Sequence, residues 1–197
     1  MENKFLNPKN PECIYSVPNV ITLIRLIGSL SFFILALLKG NETYNFIGLG
    51  IHWFGDVLDG FVARTFKQET VFGAEIDIIA DRVEILFFFL NFLHFHPGLY
   101  LPVTIYILDF AFFDFYLSYQ FIKYDIISPN YFYKVDKTIY KMNYSPPGKF
   151  CNSTIVILLL IFLPQLWILA VLFAVGLNAV KIYSIGLLHK KRLIDRK

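Results

Sequence analysis

The chain has 197 residues, room for one domain by default, and is 56% hydrophobic and 18% aromatic but only 17% charged, against about 25% charged in an ordinary soluble domain. That balance excludes a soluble globular protein of this size. A net charge of +3 is too small to point to nucleic acid, and none is expected as a partner.

The fold class implied is all-α: a polytopic membrane protein with six transmembrane helices and both termini in the cytoplasm. Residues 1–17 are polar and carry Pro8 and Pro11, unlike a cleavable signal peptide. They are expected to form an N-terminal cytoplasmic segment. Phe5, Leu6, Ile14 and Tyr15 beside Lys4 and Lys9 would let it lie along the interface. A membrane domain is expected over 18–189 and a basic tail over 190–197.

A hydrocarbon core of about 30 Å takes about 20 helical residues. Apolar runs of that order occur at 20–39, 44–64, 74–95, 99–122, 149–163 and 165–188. The fifth is short and ends at Pro164. Helices are the spanning form expected, because backbone in lipid must satisfy its own hydrogen bonds. The loops sort by charge. GNET after the first run, HPG after the third and Pro164-Gln165 after the fifth lack Lys and Arg. The loop after the second carries Arg64 and Lys67, that after the fourth carries Lys123, Lys134, Lys137 and Lys141 with Lys149 beside it, and the C-terminus reads HKKRLIDRK. Positive loops stay inside, so both ends are expected there. Cys13 and Cys151 show no metal or redox spacing.

Ionisable residues within a span cost several kcal/mol and are functional by default. Runs two and three carry an unusual set. Asp56, Asp59, Gly60, Ala63 and Arg64 recur at helical spacing on one face, and Gly73, Asp77 and Asp81 do the same on the next helix. A short loop makes the two helices antiparallel neighbours, so two carboxylates from each converge. Four like charges in a low dielectric need compensation, and two divalent cations would supply it. Oxygen donors suit magnesium, manganese or calcium rather than zinc. A paired-metal site is a standard device for phosphoryl transfer. Gly60 and Ala63 leave room for a bulky ligand or serve close helix packing, and Arg64 is placed to hold a phosphate.

The pattern D-x2-D-G-x2-A-R-x8-G-x3-D-x3-D, from Asp56 to Asp81, resembles the signature of the CDP-alcohol phosphotransferase family. The run Pro18-Asn19-Val-Ile-Thr22-Leu-Ile-Arg25 is similar to the family's first span. The resemblance implies transfer of a substituted phosphoryl group from a CDP-linked donor to an alcohol, with release of CMP. It implies Mg2+ or Mn2+, two ions, held by Asp56, Asp59, Asp77 and Asp81, with Asp81 also the general base. Gly60 and Ala63 would border the cytidine, Arg64 would contact the diphosphate, and Asn19, Thr22, Arg25 and Gly73 would complete the CDP site.

The segment FGAEIDIIADR resembles the phosphatidylglycerophosphate and phosphatidylinositol synthase-like branch. The expected donor is then CDP-diacylglycerol and the acceptor a polar alcohol: glycerol 3-phosphate, inositol or inositol phosphate. Transfer from CDP-choline or CDP-ethanolamine to diacylglycerol is the family alternative. A cation transporter using intramembrane carboxylates is the alternative from another class. Arg82, Lys141, Lys149 and Lys181 are candidate cations for an anionic acceptor. Asp109 and Asp114 are expected to pair with Lys181 or another span, or to sit near the cytoplasmic half. Glu75 and Glu84 are expected to pair with Arg82 or Arg25. The expected setting is a homodimer among membrane lipids, in a bacterial inner membrane, with the active site facing the cytoplasm.

Overall fold

The computed structural model describes residues 14–195, and the interfacial stretch expected before Ile14 and the last two residues of the basic tail lie outside them. The described residues are mostly helical, with no strand among them. They form two compact units. One holds the chain up to Pro97 with Asp125–Ser128; the other holds Gly98–Tyr124 and Pro129 onward.

Three long helices make the first unit: α1 Val17–Lys39, α2 Thr43–Thr65 and α3 Val71–Phe95. Local chemistry sets their ends. Ser16 caps α1 by accepting from the Asn19 N–H, with Pro18 in the first turn, where its missing N–H costs nothing. Gly40 closes the helix at φ 58, a left-handed conformation that glycine adopts without strain. The Thr70 hydroxyl caps α3 by accepting from the Gly73 N–H at 2.9 Å. Connections this short make successive helices antiparallel, so α1 and α3 run in the same direction.

The first unit is inverted relative to a soluble bundle. On α1 the buried residues include Asn19, Thr22, Arg25 and Ser29, whereas Leu23, Ile24, Ile27 and Leu38 are exposed. A face of bare branched aliphatics opposite a buried polar stripe is the pattern that lipid as solvent selects. Below the polar stripe, Phe33, Phe88, Phe89 and Phe92 pack into an aromatic core. Asn91 Nδ2 donates to the Phe33 carbonyl at 2.8 Å and to Asn45 Oδ1 at 3.1 Å, and Asn45 Nδ2 donates to the Phe88 carbonyl at 3.2 Å. These bonds tie all three helices together at the end away from the aspartates.

In the second unit, α4 Tyr100–Leu108 runs into a π-helical segment, Asp109–Asp114, and on into α5 Phe115–Tyr119. Short helices follow: α6 Lys137–Ile139, α7 Pro146–Ser153 and α8 Ile155–Phe162. The last is α9, Trp167–Asp195.

Among the described residues, four helical runs are long and apolar enough to cross a membrane: Val17–Lys39, Thr43–Thr65, Pro97–Tyr124 and Pro164–Leu193. Two of the six expected spans differ from that standard, for separate reasons. The third expected span, α3, has 25 residues, ample length at about 1.5 Å each. It also carries Glu75, Asp77, Asp81, Arg82 and Glu84 in its first 14 residues, so its composition falls short. The fifth expected span is two eight-residue helices, α7 and α8, divided at Thr154. Lys149 and Asn152 make α7 amphipathic, so only α8 is purely apolar.

Candidate active site

The four aspartates meet at one end of the α1–α3 trio. The last turns of α2 present Asp56 and Asp59, and the first turns of α3 present Asp77 and Asp81. The structure adds a residue at their centre, Arg25 of α1, whose side chain is 1% exposed. Its Nη1 lies 3.5 Å from Asp56 Oδ1 and 3.4 Å from Asp59 Oδ2. Its Nη2 lies 3.2 Å from Asp77 Oδ1 and 2.9 Å from Asp81 Oδ1. Its Nε lies 3.2 Å from Glu84 Oε2. The rigid guanidinium fork thus sets one nitrogen against the α2 pair and one against the α3 pair, while Nε stands at ion-pair distance from a fifth carboxylate deeper in the helix without hydrogen-bonding to it.

Small residues make this approach possible. A Cβ on Gly55 would stand 2.4 Å from Arg25 Cγ, so only glycine lets the arginine stem cross α2 there. A Cβ on Gly73 would stand 2.8 Å from Asn19 Oδ1 and 2.9 Å from Thr70 Oγ1. Gly73 therefore admits both the α1 asparagine and the cap of its own helix. At Gly60 the nearest atoms to such a Cβ belong to the Arg64 guanidinium, at 3.1 Å. Arg64 lies over Gly60 and is exposed, and Ala63 beside it is half-buried.

The carboxylates differ in access. Side-chain exposure falls from 47% at Asp56 and 37% at Asp77 to 25% at Asp81, 5% at Asp59 and 0% at Glu84. Asp59 accepts a hydrogen bond from the Thr22 hydroxyl at 2.7 Å. Oxygens of Asp56, Asp59 and Asp77 all lie within 4.8 Å of one another, close enough to share one ion. The donors are hard oxygens, which suits magnesium or manganese. Five carboxylates around one guanidinium leave an excess of negative charge, and this is what divalent cations would offset. The residues present therefore fit a divalent metal site. A second group, His52, Asp81 and Glu84, is equally close, and Arg25 lies against members of both groups.

Asn19, Thr22 and Arg25, expected along the CDP wall, all face inward. Thr22 and Arg25 contact carboxylates, and Asn19 donates to the Ile14 carbonyl at 3.0 Å. Arg82 is half-buried on α3, and Glu84 pairs with Arg25, one of its two expected partners. In the second unit, Lys141 and Lys149 are exposed, whereas Lys181 is fully buried and pairs with Asp114. Asp114 thus has one of its expected partners.

Sequence reading missed Gly55, Ser29 and His52 as part of this cluster. A signal existed: each lies within about a helical turn of a named site residue on the same helix. Gly55 adjoins Asp56, His52 is four residues before it, and Ser29 is four after Arg25.

A family model described as CDP-alcohol phosphatidyltransferase matches residues 15–182, most of the chain and all of the cluster. The chain belongs to the CDP-alcohol phosphatidyltransferase family. With four membrane-capable helices among its described residues, this family member is an integral membrane protein. Two of its relatives are CDP-diacylglycerol–glycerol-3-phosphate 3-phosphatidyltransferases. That of Cereibacter sphaeroides is 31% identical over 97 residues, covering 46% of this chain and 44% of the relative. That of Haemophilus influenzae is 36% identical over 75 residues, covering 36% and 40%. A CDP-diacylglycerol–inositol 3-phosphatidyltransferase of Candida albicans is 36% identical over 66 residues, covering 34% of this chain and 28% of the relative. The matched stretch is thus less than half the length of each curated relative. No solved structure matches the chain.

Proposed function

We propose that this family member transfers a phosphatidyl group from CDP-diacylglycerol to a polar alcohol, with release of CMP. The acceptor class is glycerol 3-phosphate, inositol or inositol phosphate. The observation that carries the reading is the convergence of Asp56, Asp59, Asp77 and Asp81 around Arg25, with Gly60, Ala63 and Arg64 beside them on α2. The names of the relatives support the donor and the acceptor class.

Asp56, Asp59, Asp77 and Asp81 would hold two Mg2+ or Mn2+ ions, which when bound supply positive charge against a diphosphate and the departing CMP. The residues of the chain do the rest. Arg64, exposed over Gly60, would contact the diphosphate. Gly60 and Ala63 would border the cytidine, and Gly73 would keep α1 and α3 close enough to form the wall beside it. Asp81 would accept the proton of the acceptor hydroxyl. Its side chain is 25% exposed, so an acceptor hydroxyl can reach it. Arg82, next to it on α3, is the cation of this unit we assign to an anionic acceptor.

We further infer six crossings with 18–189 as the membrane domain, both termini and the active site on the cytoplasmic side, and a homodimeric assembly. The sorting of Lys and Arg among the loops supports the sidedness. In this reading α3 crosses with its charged half at the active site, and α7 and α8 in succession make the fifth crossing.

The test is CMP release by the purified chain with CDP-diacylglycerol across a panel of acceptors, with and without Mg2+ or Mn2+. Metal-dependent release with one acceptor is expected. Asp81→Asn should lower it about a hundred- to ten-thousand-fold while the protein stays folded. Metal uptake into proteoliposomes without CMP release overturns the enzyme reading in favour of transport.

A further inference from the structure

Two membrane-capable runs of the second unit end side by side, at Tyr124 and at Leu193, and a small cleft lies between their ends. One wall is Tyr116 of α5 with Gln120 and Tyr124 of the 3-10 helical turn that follows it. The other wall is Leu188, His189 and Arg192 of α9. Hydrogen bonds fix the walls. The Tyr124 hydroxyl donates to the Leu188 carbonyl at 3.1 Å, and Gln120 Nε2 donates to the Tyr116 carbonyl at 3.1 Å.

The rim is basic. Arg192 and His189 are exposed. Lys123 is exposed as well, with its Nζ 5.7 Å from the centre of the Tyr116 ring. Among the described residues, no carboxylate stands at ion-pair distance from any of these three side chains. Toward the middle of the two runs the surface turns apolar: Phe112 is 63% exposed and Ile182 is 52% exposed. Cations at the depth where spans end, with apolar surface directly above, match a molecule that is anionic at one end and hydrocarbon at the other. Basic pockets between helices at headgroup level take acidic phospholipids, and the arginine fork fits phosphate oxygens.

We propose that this cleft binds the phosphate headgroup of an anionic phospholipid, with Arg192 and Lys123 supplying the charge and Tyr116 and His189 the walls. The acyl chains lie along Phe112 and Ile182. This site does not rest on the reaction proposed above, whose aspartates belong to the first unit.

The test titrates the purified full chain, at one fixed detergent concentration, with phosphatidylglycerol carrying a fluorophore on an acyl chain. Fluorescence anisotropy gives an apparent Kd. Saturable binding is expected, displaced by unlabelled phosphatidylglycerol but not by phosphatidylcholine or inorganic phosphate. Arg192→Gln and Lys123→Gln should each raise the Kd about fivefold, and the double variant about twenty-five-fold. All three residues changed here are exposed, and an unaltered unfolding temperature confirms that the variants are folded. Lys190→Gln removes the same charge from the same end of α9 outside the cleft, and should leave the Kd unchanged. Equal weakening by Lys190→Gln and Arg192→Gln overturns the site in favour of diffuse surface charge. An unchanged Kd in the double variant overturns it too. Displacement by phosphatidylcholine reduces it to ordinary lipid contact, and displacement by inorganic phosphate makes it a site for free phosphate; either result overturns the proposal.

Discussion

Arg25 contacts carboxylates on both α2 and α3, and that fixes what its replacements should do. A shorter or softer cation cannot reproduce the fork: the Lys ammonium is a point charge on a flexible stem. Arg25→Lys should fold and lose most CMP release. Arg25→Met should also lose stability, about 3–5 kcal/mol, because it strands buried carboxylates without their partner. Thermal unfolding in detergent beside the activity assay separates the two effects. Gly55 offers a narrower probe. A methyl there meets the Arg25 stem at 2.4 Å, whereas at Gly50 it meets nothing within 4 Å. Gly55→Ala should therefore cut activity at least tenfold and Gly50→Ala should leave it near normal. Equal activity in the two would show that the path of Arg25 across α2 is not needed.

At the scale of elements, the π-helical segment Asp109–Asp114 explains an arrangement that a regular helix would not allow. Five residues apart on an α-helix, two side chains diverge by about 140° at 3.6 residues per turn. The wider π turn brings positions five apart back to nearly the same face. Asp109 is buried, and Asp114 pairs with the fully buried Lys181 of α9. This pair serves the packing of the second unit, where Asn178 of α9 also donates to the Ile105 carbonyl at 3.3 Å. Lys181→Met alone should destabilise by about 3–5 kcal/mol, and Lys181→Met with Asp114→Leu should recover much of the loss. A double-mutant cycle on unfolding temperature reads this directly. Additive losses would mean that the two residues do not act as a pair.

For the whole molecule, the prediction concerns sidedness. Cytoplasmic termini and six crossings require that single cysteines near the C-terminus, and in the loop between α2 and α3, be labelled only from the cytoplasmic face. The loops at 40–42 and 96–98 should be labelled only from the other. Cys13 and Cys151 are replaced first. Labelling of 66–70 from outside would reverse the orientation, and labelling of 40–42 and 66–70 from the same face would remove α2 as a crossing.

The amino-acid sequence by itself determined the helical membrane class, the bounds of α1, α2 and α3, and the meeting of four aspartates. Those features rest on local rules: apolar run length, helical periodicity and caps such as Ser16, Gly40 and Thr70. Side chains spaced by three, four or seven residues must share a face, so the Asp56–Asp59 and Asp77–Asp81 pairs were legible before any fold was known. The break at Thr154 was not, because neither side of it carries a Gly or Pro stop, and only packing decides whether α7 and α8 continue. The π turn was equally hidden, since no residue type between Asp109 and Asp114 marks it. The site divides along the same line. Its charge was visible in the aspartates, but the place of Arg25 among them was decided only by the tertiary structure. Whether a guanidinium faces a nucleotide or a carboxylate depends on which helix crosses at its level. Here α2 crosses at Gly55, the position with no side chain to turn Arg25 away.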